Sequence, residues 1–145
     1  MQTPAFKFYI PVEVRYSDLD PQWHVNNTRY LVYMEQARLE YLRNLGLFEG
    51  QNFLDLKMII ADVHVSYLAP IELGQKVRVG TRTAKIGTKS ITFEYRIEDS
   101  DSGQLLATGE VVGVTYNYRA HATIPVPADW REKIRAYEGK DYSPD

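Results

Sequence analysis

Thr28-Arg-Tyr-Leu-Val-Tyr-Met-Glu-Gln-Ala-Arg-Leu-Glu-Tyr-Leu-Arg-Asn-Leu45 is the stretch on which the fold of this 145-residue chain turns. Wound at 3.6 residues per turn, Tyr30, Leu31, Val32, Met34, Ala37, Leu39, Tyr41, Leu42 and Leu45 sweep through well over half of the circumference. Arg29, Tyr33, Gln36, Glu40 and Asn44 fill the remaining arc. A helix lying on a surface needs a narrower apolar stripe. This one asks for cover on most sides, and the chain holds no second helix of similar strength. The cover must come from strands. Asn26, Asn27 and Thr28 are all suitable N-caps, and Gly46 stands where a glycine commonly ends a helix. Glu35 and Arg38 break the apolar arc three residues apart. They read either as a structural ion pair at the helix edge or as the lining of a site or a subunit interface.

Outside the helix the period of the apolar residues drops to two. Residues 6–16 alternate Phe6, Phe8, Ile10, Val12 and Val14 with polar neighbours. Pro11 cannot donate to a ladder and points to an edge or a bulge. Residues 58–68 set Ile60, Asp62, His64 and Ser66 on one face and Ile59, Ala61, Val63, Val65 and Tyr67 on the other. Strands over 76–86, 90–99 and 105–118 follow. Gly109 and Gly113 in the last of them predict a bend or a close backbone approach. A short helix over 130–137, capped by Asp129, comes next, and the last few residues are expected to be disordered. The plan is one strand, the long helix, then four strands in a meander that pair in order. It predicts a single α+β domain over 1–145, with one long central helix wrapped by a curved antiparallel sheet of about five strands. The helix is about 27 Å long at 1.5 Å per residue, so strands of this length can run beside all of it. Such a sheet keeps open edges, which pairing between subunits would cover.

Composition narrows the function. Lys+Arg 17 against Asp+Glu 19 gives a net charge of -2, which is no footprint for nucleic acid or an anionic membrane. The chain has no cysteine, so disulfides, thiolate catalysis and Cys-ligated metals are excluded. Its opening, Met1-Gln-Thr-Pro-Ala-Phe-Lys-Phe8, lacks the apolar core of a signal peptide, and no apolar run is long enough to span a bilayer. A cytoplasmic protein is expected. His24, His64 and His121 are scattered, without a glutamate at metal-ligand spacing, so no metal site is expected. There is no glycine-rich phosphate loop.

The densest polar cluster precedes the helix: Asp18, Asp20, His24, Asn26 and Asn27. The amides of the helix's first turn lack intrahelical partners, and together with the dipole they favour negative charge. That suits a bound anion, or an oxyanion forming during acyl transfer. A carboxylate of ordinary pKa, near 3.9, is already ionised at neutral pH and needs no second base to attack or to activate water. Either aspartate fits this part, and either equally fits a cap or an Asx-turn. His24 reads as a structural hydrogen-bonder or as an acid–base group. His64, facing away from Val63 and Val65, would line a cavity or meet water.

The string Tyr16-Ser-Asp18-Leu-Asp20-Pro-Gln-Trp-His24-Val-Asn26-Asn27-Thr-Arg-Tyr30-Leu-Val-Tyr33-Met-Glu35-Gln-Ala37-Arg38 resembles the hotdog-fold acyl-CoA thioesterases, nearest the 4-hydroxybenzoyl-CoA thioesterase-like group. The later segments Val65-Ser-Tyr-Leu-Ala-Pro-Ile-Glu-Leu-Gly74, Gly87-Thr-Lys-Ser90 and Ile124-Pro-Val-Pro127 are similar to family turns, so the likeness spans nearly the whole chain. It implies a hotdog fold and thioester hydrolysis without a metal or a redox cofactor, coenzyme A being part of the substrate. Asp20 matches the family's catalytic carboxylate. Asn27 matches the residue whose backbone amide polarises the thioester carbonyl. His24 and Asn26 fall at supporting positions, and His64 joins Trp23, His24 and Asn26 as the expected substrate-binding set. The resemblance also implies a homodimer or a homotetramer acting on acyl-CoA, with acyl carrier protein as the alternative carrier, and it favours the structural reading of Glu35 and Arg38. Trp23 departs from the pattern, because the family usually has glycine there. The expectation is that it reshapes the loop or plugs part of the acyl pocket.

Overall fold

The computed structural model describes residues 5–50 and 52–142. Strand β1 (Phe8–Glu13) leads through a single 3-10 turn, Tyr16–Asp18, into helix α1 (Asn27–Asn44). Strands β2 (Met58–Tyr67), β3 (Lys76–Ile86), β4 (Ser90–Asp99) and β5 (Leu105–Asn117) follow, then a short β6 (Ala122–Thr123) and helix α2 (Ala128–Glu138). The helix begins where a cap allows: Asn26 Oδ1 accepts the Thr28 amide at 2.9 Å. It ends at Gly46, whose φ of +75° is open to glycine.

All main strands join one antiparallel sheet in the order β1-β3-β4-β5-β2, with β6 on β5. The expected α+β plan therefore stands, with a correction to the meander. β3, β4 and β5 pair in order, but β2 lies beside β5, and β1 takes the place next to β3. The link 68–75 is no tight turn. It spans the end of the sheet, held where Leu68 N–H and Ala69 N–H share Leu106 O and where Val25 N–H donates to Ile71 O at 2.8 Å. Pro11 lies on edge strand β1, as its missing donor requires.

A second correction concerns β2. The ladder slips between Ile60 and Asp62, so Ala61 is a bulge. Ile60 opposite Gly113 then shares the face of Val63 opposite Val111, and Ile59 moves to the face of Asp62 and His64. At Gly109 a helix side chain reaches the sheet backbone: a Cβ there would lie 2.6 Å from Met34 Sδ. Gly113 leaves the same kind of room for Met58.

The core lies between one side of α1 and the concave face of the sheet. Tyr30, Tyr33, Met34, Ala37, Tyr41 and Leu42 of the helix are buried against Val77, Val79, Ile91, Phe93, Tyr95, Ile97, Leu106 and Val111. Burying these side chains contributes on the order of 1.5–3 kcal/mol each. The wide apolar arc is not wrapped on most sides, however. Leu31 and Val32 stay 38% and 48% exposed, because the sheet of one chain covers one flank of the helix. Tyr33, placed by periodicity on the polar arc, goes inside because its hydroxyl finds Asp18. Helix α2 closes the far end with Trp130 and Ile134, and Asp129 lies inside its first turn rather than capping it. Tyr142, near the end where disorder was expected, donates to Thr83 O at 2.6 Å, while 143–145 lie outside the described residues. No helix among the described residues is long and apolar enough to cross a membrane.

Candidate active site

The loop before α1 is a small hairpin. Leu19 bridges Val25, and Asp20 N–H donates to His24 O at 2.8 Å. Trp23 N–H closes the turn on Asp20 O at 3.0 Å. Three residues thus make the tip, and the last of them, Trp23, is left-handed at φ +66°. Glycine usually takes that last position.

The two aspartates part company here. Asp18 is 8% exposed and engaged at both oxygens. Its Oδ2 accepts the Arg15 amide at 2.9 Å and the Tyr33 hydroxyl at 2.7 Å, and Arg29 lies 3.7 Å from Oδ1. Burial, reinforced by the hydrogen bond to Asp18, pushes the Tyr33 hydroxyl well above the ordinary tyrosine pKa. Asp18 therefore fastens loop to helix. Asp20 is half-buried, and only one of its oxygens is engaged: Oδ1 accepts the amides of Gln22 at 2.9 Å and His24 at 3.3 Å. Oδ2 has no hydrogen-bond partner among the described residues. Nor does the amide of Asn27, the first residue of α1.

Asp20 and Asn27 line one cleft of about 420 Å³ with His24, Val25, Tyr30, Tyr67, Leu68, Ala69 and Pro70. Its walls are held from the backbone side. Tyr67 donates to Asn27 O at 3.0 Å and Tyr30 to Ala69 O at 3.1 Å, and the two rings meet edge to face at 4.9 Å. Burial raises the Tyr30 pKa, and the charge of Asp20 adds to it. The sequence placed Tyr30 on the apolar arc of the helix and Tyr67 on a strand face, but nothing local joined the two as walls of one cleft. The wall can do two things chemically: offer a carboxylate oxygen to an electrophile, and offer an N–H at a helix N-terminus to a developing negative charge.

The other expected site residues separate. His24 lines the cleft, and its backbone bridges Glu72. Asn26 spends its side chain on the cap, so its part is to start the helix. Trp23 does not line the cleft; its ring is 65% exposed, so it plugs nothing within the chain. His64 is exposed on the sheet face away from α1, across from Glu110, and is not brought to the cleft. Glu35 and Arg38 stand 4.0 Å apart, with Arg38 also donating to Tyr95 Oη at 3.1 Å. They border a separate apolar cavity of about 310 Å³ between α1 and β2. No group of three or more Asp, Glu and His side chains among the described residues is arranged to hold a metal ion.

Comparison with known proteins gives this geometry a context. The family model described as the thioesterase-like superfamily matches residues 14–134. The long-chain acyl-CoA thioesterase FadM of Escherichia coli is 24% identical over 85% of this chain and 93% of its own. The acyl-CoA thioesterase YbgC of Haemophilus influenzae is 33% identical over 62% of this chain and 68% of its own. A thioesterase from Thermus thermophilus, solved with coenzyme A and zinc, superposes with a TM-score of 0.81 at 36% identity, covering 94% of this chain and 97% of that one.

Proposed function

The chain belongs to the thioesterase-like superfamily of thioester hydrolases, and on that premise we propose that it is an acyl-CoA thioesterase whose Asp20 and Asn27 carry the chemistry. One observation carries the reading: Asp20 and Asn27 line the same cleft, and neither Asp20 Oδ2 nor the Asn27 amide has a hydrogen-bond partner among the described residues. The thioester carbon lies between them. Asp20 attacks it, or takes a proton from the water that does. The charge gathering on the carbonyl oxygen is met by the Asn27 N–H and the positive end of α1. Collapse breaks the C–S bond, the thiol leaves with a proton, and the acid is released. If Asp20 itself attacks, a mixed anhydride forms first, the thiolate takes its proton from solvent, and one water opens the anhydride. No metal or redox cofactor enters this scheme; coenzyme A arrives as part of the substrate and departs as the thiol. The names of the FadM and YbgC relatives, and the coenzyme A in the Thermus structure, support the carrier.

The working unit is a homodimer or a homotetramer. Leu31 and Val32 of α1, and Ile60, Val63 and Tyr67 of edge strand β2, leave an apolar flank beside unpaired ladder groups. A second copy covers such an edge by pairing with it.

The test is free-thiol release from acetyl, branched, medium-chain, long-chain and benzoyl thioesters of coenzyme A and of acyl carrier protein. Release by wild type and none by Asp20→Asn supports the reading. Release from carrier-protein esters alone moves the substrate. Thioesters bound and recovered intact make this a binding protein instead.

A further inference from the structure

Trp23 stands where the turn needs a left-handed residue, a place that costs an indole and not a glycine. A residue with a Cβ rarely adopts φ near +66°, and the strain is not repaid by burial. The indole is 65% exposed, and its one ring neighbour, Tyr16, is 73% exposed, edge to face at 6.4 Å. The antiparallel bridge between His24 and Glu72 sets Trp23 across from Leu73, itself 50% exposed. Three large side chains thus stand in water around one turn, and that turn carries Asp20.

A thioester has two arms. The apolar acyl arm suits the cleft walled by Tyr30, Tyr67 and Pro70. The thiol arm is rich in amides, ends in phosphates and must leave toward solvent. His24 lines the cleft and its neighbour Trp23 stands in solvent, so the indole lies on the open side of the turn, where such an arm leaves. Arg15, exposed at the foot of the same loop, brings positive charge; Arg29, on the first turn of α1 with 42% of its side chain in water, balances Asp18. We propose that Trp23, backed by Tyr16, is a platform on which the thiol arm of the substrate stacks, and that it sets affinity for the carrier rather than for the acyl group. This rests on the thioesterase reading.

The test uses Trp23→Gly, which accepts the left-handed position, and Trp23→Phe, which keeps a ring. One acyl group is presented on coenzyme A, on pantetheine and on N-acetylcysteamine, which lacks most of the arm. Loss of the ring raises KM about threefold to fivefold for the first two esters in Trp23→Gly, on the scale of an amide resting on an aromatic face. The kcat and the N-acetylcysteamine KM stay as in wild type, Trp23→Phe recovers most of the loss, and Tm does not fall. Free coenzyme A quenches wild-type tryptophan emission and leaves Trp23→Gly, with only the buried Trp130, unaffected. Equal KM changes on all three carriers, changes that follow acyl length, no change, or loss of oligomer or Tm in Trp23→Gly would each overturn the platform. If wild type cleaves none of the esters, the hydrolase reading fails by itself. Quenching by coenzyme A then decides the platform alone: present, it stands; absent, it falls.

Discussion

The two ends of α1 both gather a carboxylate and tyrosines, and they treat them in opposite ways. At the C-terminal end Tyr41 donates to Glu138 at 2.6 Å and lies 2.8 Å from Thr83 Oγ1. Glu138 also accepts the Thr83 amide at 3.3 Å, and Tyr142 covers Thr83 O. Burial, then the Glu138 hydrogen bond, drives the Tyr41 hydroxyl far above the ordinary tyrosine range. The Tyr41 and Thr83 hydroxyls, the Thr83 amide and Glu138 Oε2 are matched there, and the cluster, which no cleft reaches among the described residues, joins α2 to the helix and to β3. At the N-terminal end Asp18 is held through Oδ2 hydrogen bonds and the Arg29 ion pair, but Asp20 Oδ2 and the Asn27 amide have no partner among the described residues, and their residues line a cleft. Matched polar atoms hold a fold, whereas unmatched ones facing a cleft are available for chemistry.

The sharpest way to break this contrast is at the two aspartates. Asp20→Asn keeps the Oδ1 acceptor for the turn, so it should lose roughly a thousandfold or more in turnover with an unchanged melting curve. Near-normal rates would end the assignment. Asp18→Asn should do the reverse, lowering stability by about 1.5–3 kcal/mol in urea titrations while the folded fraction keeps most of its activity. At the other end of the helix, Tyr41→Phe removes both hydroxyl contacts and should cost about 1–3 kcal/mol with kcat per folded molecule intact. A change in kcat there would mean that the two ends are coupled. On the open flank, Val63→Lys puts a charge on edge strand β2. Light scattering should then find smaller particles than in wild type; an unchanged mass would remove β2 from the interface.

The smallest effect concerns pH. Burial pushes the Glu98 carboxyl up, but hydrogen bonds from Arg96, Arg78 and Tyr9 outweigh it and hold the group below its usual value. With the folded pKa below the unfolded one, the carboxylate's contribution is complete above about pH 4.3. It is lost as pH falls through the folded value. Glu98→Gln should therefore flatten the acid limb of the stability curve and leave activity at neutral pH unchanged.

Much of this was readable in the residues alone. Periodicity placed α1 to within a residue at each end, and alternation found the main strands, because both patterns are local. Gly109 announced the close approach of Met34. The bulge at Ala61 was invisible in a run of apolar residues, and it exchanged the faces of Ile59 and Ile60. The place of β2 beside β5 was equally hidden, since a link of eight residues reaches either neighbour.

The site divides along the same line. Which residues crowd the loop, and that a helix N-terminus follows them, is a matter of sequence alone: capping and turn chemistry act within a few residues. Which aspartate is used up and which stays open was decided by Tyr33, Arg29 and the cleft walls Tyr30 and Tyr67, residues brought in from the helix and from β2. His64, a candidate by type, went to the far face with its strand. Hydrogen-bond satisfaction depends on contacts across the fold, so only the tertiary structure could separate the anchoring carboxylate from the one left facing the cleft.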